Sequence, residues 1–460
     1  MPEFVARSRM PCSVEELFAW HMRPGAFLRL APPWEEVRVE KWAQPDEIGK
    51  QVTLRVRLAP LVWKRWIAEY KEWEQNRLFR DIQVRGPFAR FDHRHLVEAD
   101  GTDASILEDR IDYAAPLGAI GRLFGERMVR ERLMQMFAYR HRTTHDDLAA
   151  HRAAGERRRV LVTGSTGLLG SALEPFLTAG GHGVVRVTRR GGTFDEPTIA
   201  WSDLLAGQHL EALDGVDSVV HLAGEGIANR RWTRAQKERI RTSRIEPTRQ
   251  LCERLARCSP RPTVLVCASA IGIYGDRADQ VLTEASAPGD DFLAEVCKAW
   301  EEATVPARDA GIRVVNLRFG VVVSPRGGAL AKMLPPFLMG GGGKVGSGRQ
   351  HMSWIALDDA LGTILHALAT ESLTGPVNAV APHAVTNQEW TKVLGRVLRR
   401  PTILPMPAFA ARLAFGELAD ALLLSSQRVV PDRLLESGYH YRYADLEEAL
   451  RFMLGRTKSS

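Results

Sequence analysis

The chain has 460 residues, which at about 100–200 residues per domain implies two to four domains. Hydrophobic residues make up 45% and charged residues 25%, values that exclude disordered, collagen-like and coiled-coil chains. The 62 Lys and Arg against 55 Asp and Glu leave a net charge of +7, which points to anionic partners: nucleic acid, a membrane surface or a phosphorylated small molecule.

The N-terminal stretch MPEFVARSRMPCSVEELF has no basic start followed by an apolar run, so no secretory signal is expected. Ser13 and Glu16 form a capping box ahead of Leu17, Phe18 and Met22, which predicts a short helix. Val52–Leu58 alternates with its apolar side chains on even positions, the mark of a half-buried strand. Similar runs follow at Val62–Tyr70, Phe79–Val84, His93–Val97 and Ile106–Tyr113. Leu117–His151 has no proline and carries helical spacing in Leu123, Met128, Leu133, Met136 and Phe137. Residues 1–150 therefore read as a strand, a helix, several antiparallel strands and one long helix. Six of the eleven tryptophans fall here (Trp20, Trp34, Trp42, Trp63, Trp66 and Trp73), either as plain core or as the lining of an apolar ligand cavity. His93 and His95 share a strand face, and His141 and His145 share a helix face. Neither pair has a third ligand nearby in sequence, so no metal is expected.

The polar stretch His151–Arg158 marks a boundary. Beyond it, strands at Val160–Thr163, Val184–Thr188, Ser218–Leu222, Thr263–Ala268 and Arg313–Leu317 alternate with helical runs at Leu168–Ala179, Thr233–Arg257 and Phe292–Asp309. That alternation predicts an α/β fold with a doubly wound parallel sheet covered on both faces. Residues 1–150 hold 24 basic and 23 acidic side chains, so 38 basic and 32 acidic ones, +6 of the +7, lie beyond them. Arg230–Arg254 carries nine basic residues but only one aromatic, Trp232. It reads as a solvated helix face rather than a nucleic-acid reader. Five dispersed cysteines without a C-x-x-C, and no run of about 20 apolar residues, fit a reducing cytoplasmic compartment with no membrane partner.

The sharpest motif is Arg159-Val160-Leu161-Val162-Thr163-Gly164-Ser165-Thr166-Gly167-Leu168-Leu169-Gly170, an apolar strand running through G-x-x-G-x-x-G into a helix. Glycines there permit a tight turn and let backbone N–H groups approach a pyrophosphate at a helix N-terminus. A dinucleotide site for NAD places an acid about 20 residues onward to bind the ribose hydroxyls. Here the second strand ends Thr188-Arg189-Arg190, and no acid occurs between Glu174 and Asp195. Two guanidiniums suit a 2′-phosphate, so the expected cofactor is NADP.

T-G-x-x-G-x-x-G resembles the extended short-chain dehydrogenase/reductase superfamily, a Rossmann-type fold. His221-Leu222-Ala223-Gly224-Glu225, Arg231-Trp232, Ser243-Arg244-Ile245, Ser269 to Gly275, Gly346 to Gln350 and Trp354-Ile355 are similar to its nucleoside-diphosphate-sugar epimerase-like family. Leu422 to Pro431 resembles that family's small C-terminal domain of unknown function. Residues 1–150 resemble the SRPBCC or START-like helix-grip domains through Pro24-Gly25-Ala26, Pro32-Pro33-Trp34-Glu35 and Gly86-Pro87-Phe88. The implied division is 1–150 helix-grip, 158–398 NADP-binding and 399–460 a helical cap. The resemblance implies cofactor contacts from Gly164 to Gly170, Thr188, Arg189, Arg190, Leu222, Ala223, Gly224 and Glu225. Arg244 stands where the superfamily carries asparagine, and would reach a phosphate or a substrate anion.

The superfamily's proton chemistry rests on Tyr-x-x-x-Lys with a Ser or Thr. None of the seven tyrosines has a lysine four residues on. The slot reads Leu293-Ala294-Glu295-Val296-Cys297-Lys298, with Ala294 or Leu293 at the tyrosine spacing. Ser269 and Tyr274 are the remaining catalytic candidates, and Gln350, His351 and Trp354 the substrate-side ones. Two functions follow: an NADP-dependent oxidoreductase or epimerase acting on a small carbonyl or hydroxyl compound, or a catalytically silent NADP(H)- and apolar-ligand-binding sensor or carrier of cell-division type.

Overall fold

The computed structural model describes residues 2–59, 61–115, 118–189, 197–208 and 213–457. The chain divides into two compact units: residues 1–153 with 175–181 and 452–460, and residues 154–174 with 182–451.

The first unit is built on a seven-stranded antiparallel sheet. In chain order it contains β1 (Glu3–Met10), α1 (Val14–Met22), α2 (Ala26–Leu30), β2 (Val37–Lys41), β3 (Gln51–Ala59), β4 (Val62–Glu74), β5 (Leu78–Arg85), β6 (Arg90–Ala99), β7 (Ser105–Ala114) and α3 (Gly118–Ala154). The spatial order is β1-β7-β6-β5-β4-β3-β2. Ser13 caps α1, its hydroxyl accepting from Glu16 N at 3.4 Å, while the Glu16 carboxylate accepts from Arg23 Nη1 and Nη2 at 2.8 and 3.0 Å. One face of the sheet is buried. Residues of β7 alternate buried and half-buried along its whole length, placing Ile111 and Tyr113 inward beside Phe4, Phe91, Leu133 and Phe137, and Leu107 inward beside Met10, Leu17 and Phe79. Trp20 is core, whereas Trp42 is exposed and Trp63 lies under the guanidiniums of Arg38 and Arg55.

The second unit is an α/β domain. Its strands are β8 (Arg159–Thr163), β9 (Gly183–Thr188), β10 (Thr198–Ala200), β11 (Ser218–His221), β12 (Val264–Ala270), β13 (Val281–Leu282), β14 (Arg313–Phe319), β15 (Val321–Ser324), β16 (His351–Met352), β17 (Trp354–Ala356) and β18 (Gly375–Ala379). Its helices include α4 (Leu168–Ala179), α5 (Trp201–Ala206), α6 (Arg234–Ala256) and α7 (Phe292–Glu302). The main sheet is parallel, ordered β10-β9-β8-β11-β12-β14-β18. Val160, Leu161, Val162, Val219, Val220, Val264, Leu265 and Val266 are fully buried, the continuous apolar texture of strands covered on both faces. Strand order reverses direction between β8 and β11, and ligands of such sheets bind in the crevice at the carboxyl ends beside that point. The helical run expected over Phe292–Asp309 is two helices, Phe292–Glu302 and Val305–Asp309, because Pro306 cannot donate to the preceding turn and starts a new helix instead. Residues 399–451 fall within this same unit rather than apart from it. Arg428–Val429 pairs in parallel with β13.

Candidate nucleotide and active site

The loop between β8 and α4 is fixed by what its glycines exclude. Gly164 has φ +71°, and a Cβ there would lie 2.7 Å from the Leu222 carbonyl carbon and oxygen. The turns leaving β8 and β11 therefore touch where the strand order reverses. A Cβ on Gly170 would lie 2.3 Å from the Gly164 carbonyl oxygen. Gly167 closes the turn, its N–H donating to Gly164 O at 3.0 Å. The result is a backbone cradle at the N-terminus of α4, suited to an anion. A cleft of ≈ 280 Å³ opens beside it, lined by Thr166, Gly167, Leu168 and Ser171 on one side and Arg326 and Gly327 on the other.

At the end of β9, Thr188 Oγ1 is buried with no hydrogen-bond partner among the described residues. A buried hydroxyl without a partner is costly, so this atom is one that a ligand oxygen would satisfy. Arg189 follows it, exposed. Arg190 lies outside the described residues. Thr188, Gly164 and Leu222 all sit at the carboxyl edge of the sheet, as a dinucleotide requires.

Arg244 does not present its guanidinium to a ligand phosphate. Nη2 donates to Glu225 O at 2.8 Å, Nη1 donates to Ile240 O at 3.0 Å, and the group stacks 5.0 Å over Trp300. Ser243 Oγ accepts from Glu225 N at 3.0 Å. Arg244 therefore shapes the 222–225 loop, and burial pulls its pKa below the ordinary arginine value. Beneath this loop, His221 joins Thr163 Oγ1 (2.7 Å) to Thr248 Oγ1 (2.9 Å), and Trp300 Nε1 donates to the same hydroxyl at 3.0 Å.

Burial pushes the His221 pKa down to about 4, from an ordinary value of 6.5. Between those values the unfolded chain takes up a proton that the native chain refuses. The contribution is therefore complete above about pH 6.5 and is lost as pH falls toward about 4, amounting to roughly 3 kcal/mol. His221→Gln is expected to flatten the acid side of a thermal-midpoint profile. A variant profile as steep as that of the unaltered chain contradicts this.

The catalytic candidates lie on a connected polar network. Ser269, at the carboxyl end of β12, donates to Glu301 Oε1 at 2.7 Å. Arg318 on β14 holds both oxygens of that carboxylate, Nε to Oε1 and Nη2 to Oε2, each at 2.8 Å. Arg318 Nη1 also donates to Tyr274 Oη at 3.0 Å, and that phenol donates to Asn378 Oδ1 at 2.7 Å. Tyr274 is fully buried, its hydroxyl is engaged on both sides, and burial raises its pKa. Tyr274, expected from sequence as a substitute acid–base, ties the turn after β12 to strand β14 and Asn378 through these two bonds. The dyad slot is likewise closed. Leu293, Ala294 and Cys297 are buried on the inner face of α7, while Lys298 is exposed on the outer one. Glu301 and Arg318 were not singled out from sequence. The only signals were a second cation, after Arg313, in the strand Arg313–Phe319 and an acid next to Trp300.

Two of the substrate-side residues are buried and engaged with backbone carbonyls. Trp354 is fully buried and donates from Nε1 to His383 O at 3.0 Å. Gln350 gives both amide hydrogens to backbone carbonyls, Val345 O at 3.0 Å and Leu423 O at 2.8 Å. His351 is half-buried, with Nδ1 3.5 Å from Asp279 Oδ1.

Residues 160–380 match the model of the NAD dependent epimerase/dehydratase family, and residues 406–453 match a domain of unknown function, DUF1731. Epimerase family protein Mb2239 of Mycobacterium bovis is 44% identical over 297 residues, 65% of this chain and 98% of that protein. The crystal structure of a nucleoside-diphosphate sugar epimerase from Corynebacterium glutamicum has a TM-score of 0.78 at 34% identity, covering 98% of this chain and 90% of that one. The human epimerase family protein SDR39U1, crystallised with NADPH, has a TM-score of 0.61 at 36% identity, covering 64% of this chain and 99% of that one. Among the described residues, no helix is long and apolar enough to cross a membrane.

Proposed function

The chain belongs to the NAD-dependent epimerase/dehydratase family, and on that footing we propose that it is an NADP(H)-dependent oxidoreductase or epimerase acting on a small carbonyl or hydroxyl compound. The reading is carried by the cradle of Gly164, Gly167 and Gly170 with the buried Thr188 hydroxyl, which has no partner among the described residues, and Arg189 at the end of the second strand, and it is supported by the NADPH-bound human relative. Residues from Gly164 to Gly170 would hold the pyrophosphate, and Thr188 and Arg189 the adenosine 2′-phosphate. The nicotinamide, when bound, supplies the hydride donor or acceptor.

The chain's own part is proton handling without a tyrosine. Ser269 already donates its hydrogen to Glu301, so its lone pairs are what it offers to a ligand. A substrate hydroxyl would donate to Ser269 Oγ, and as that proton is transferred the serine proton passes to Glu301. Arg318 fixes the carboxylate in place through two charge-assisted bonds. Ser269 is then the catalytic residue and Glu301 the relay behind it. The succession of β1, two short helices, six strands and the long α3 supports the first unit as a helix-grip module.

The test is NADPH oxidation by the purified full chain across a panel of ketones and nucleotide sugars. Turnover on at least one substrate is expected, with Ser269→Ala losing about 10²-fold in kcat and little in KM. Tight NADPH binding with no turnover on any of them contradicts the enzymatic reading.

A further inference from the structure

The inward face of the first unit carries a polar cluster that nucleotide chemistry does not use. In the antiparallel register Asp81 of β5 stands opposite His93 of β6, and Asp109 of β7 stands opposite His95. The two histidines are two residues apart and so face the same side of the sheet. His93 Nδ1 and His95 Nε2 each lie 3.8 Å from Asp81 Oδ1. One ligand atom from each of the three residues falls within 4.8 Å of the others.

The opposite ring nitrogens are held by a second carboxylate. His93 Nε2 lies 2.9 Å and His95 Nδ1 2.6 Å from Asp109 Oδ1, while His141 Nε2 of α3 lies 2.7 Å from Asp109 Oδ2. His141 Nδ1 is in turn 2.8 Å from Ser8 Oγ. Phe79 stacks on the His95 ring at 4.0 Å and fixes its plane. When His93 is neutral its Nε2–H points at Asp109, while His95 Nδ1 lies beside the same carboxylate without a hydrogen bond to it. Their other ring nitrogens, His93 Nδ1 and His95 Nε2, face the Asp81 carboxylate. A carboxylate orienting the far nitrogens of two imidazoles is the support that metal-bound histidines characteristically receive.

We propose that Asp81, His93 and His95 bind one divalent first-row transition ion of the zinc or iron(II) type, with Asp109 as the positioning residue behind both imidazoles. Two imidazole nitrogens and one carboxylate oxygen leave further coordination positions open, which suits these ions and not calcium or magnesium. Ligands about 2.1 Å from an ion at tetrahedral angles are about 3.4 Å apart, so the 3.8 Å separations need only a small contraction. His95 and Asp81 retain 12% and 17% side-chain exposure, which leaves a route of entry. The sequence offered His93 and His95 without a third ligand, because Asp81 comes from the neighbouring strand, twelve positions before His93 in the chain.

The test uses the full chain, stripped with a chelator and titrated with Co²⁺ alone. About one equivalent is expected to bind with the visible d–d absorption of a nitrogen- and oxygen-ligated ion, and Zn²⁺ is expected to displace it. Asp81→Asn and His93→Ala are expected to weaken binding by at least about 100-fold and Asp109→Asn by about 10–100-fold. The exposed His145→Ala is expected to bind as the unaltered chain does, and far-UV circular dichroism monitors folding. Absence of the d–d band from the unaltered chain at stoichiometric Co²⁺ overturns the proposal, whatever the variants do. So does a band that persists in a folded Asp81→Asn or His93→Ala chain.

Discussion

Gly164→Ala is expected to lose NADPH binding by at least about 100-fold and to lower stability by roughly 2–5 kcal/mol. Two separate costs add. The residue sits at φ +71°, where an L side chain costs about 1–2 kcal/mol. Its new methyl would also meet the Leu222 carbonyl at 2.7 Å, where both partners are backbone and neither side can rotate away. Overpacking of that kind costs about 1–3 kcal/mol. The same displacement opens the cradle that would hold the pyrophosphate. Gly167→Ala makes a clear contrast. Its Cβ would lie 3.3 Å from a single carbonyl oxygen, and Gly167 is not among the positive-φ glycines, so its cost is expected to stay below about 1 kcal/mol. Nucleotide titration and thermal melting of the two variants decide the matter. Equal losses at both positions would show that the glycines act by composition and not by geometry.

Glu301→Gln is the second large expectation. The Arg318 side chain is only 9% exposed, and its guanidinium holds Glu301 with two 2.8 Å bonds. Removing the carboxylate charge leaves a buried cation facing an amide, which costs about 3–5 kcal/mol. It also leaves Ser269 without its proton acceptor, so turnover is expected to fall by about 10²-fold or more even at temperatures where the variant is folded. Thermal melting and single-turnover assays below the variant's midpoint read the two effects separately. A variant as stable as the unaltered chain contradicts the buried-pair account, and one with full kcat contradicts the relay.

Local signals in the sequence were legible and long-range ones were not. The strand, glycine turn and helix from Arg159 to Ala179 form as their periodicity predicts, because every determinant lies within about twenty residues. The alternating runs of the first unit also become strands of one antiparallel sheet. Three strands of the two seven-stranded sheets went unseen for physical reasons. Val37–Lys41 is a sheet edge with almost no buried side chain, Thr198–Ala200 has only three residues, and Gly375–Ala379 opens on Gly-Pro. The Ser269–Glu301–Arg318 network was hidden because its members lie 32 and 17 residues apart and meet only through strand pairing and helix packing. Gln350 and Trp354 present the opposite case. Polar and aromatic residues beside a glycine loop resemble ligand contacts, and only burial shows that their donors are already spent on backbone carbonyls.

Charge at the end of β9 is what separates a phosphorylated dinucleotide from an unphosphorylated one. Calorimetric titration of the purified full chain with NADPH, and in parallel with NADH, measures that preference without any assumption about substrate. With Arg189 at the strand end and no acid before Asp195, NADPH is expected to bind at least about tenfold more tightly. Equal affinities, or tighter binding of NADH, would contradict an NADP site.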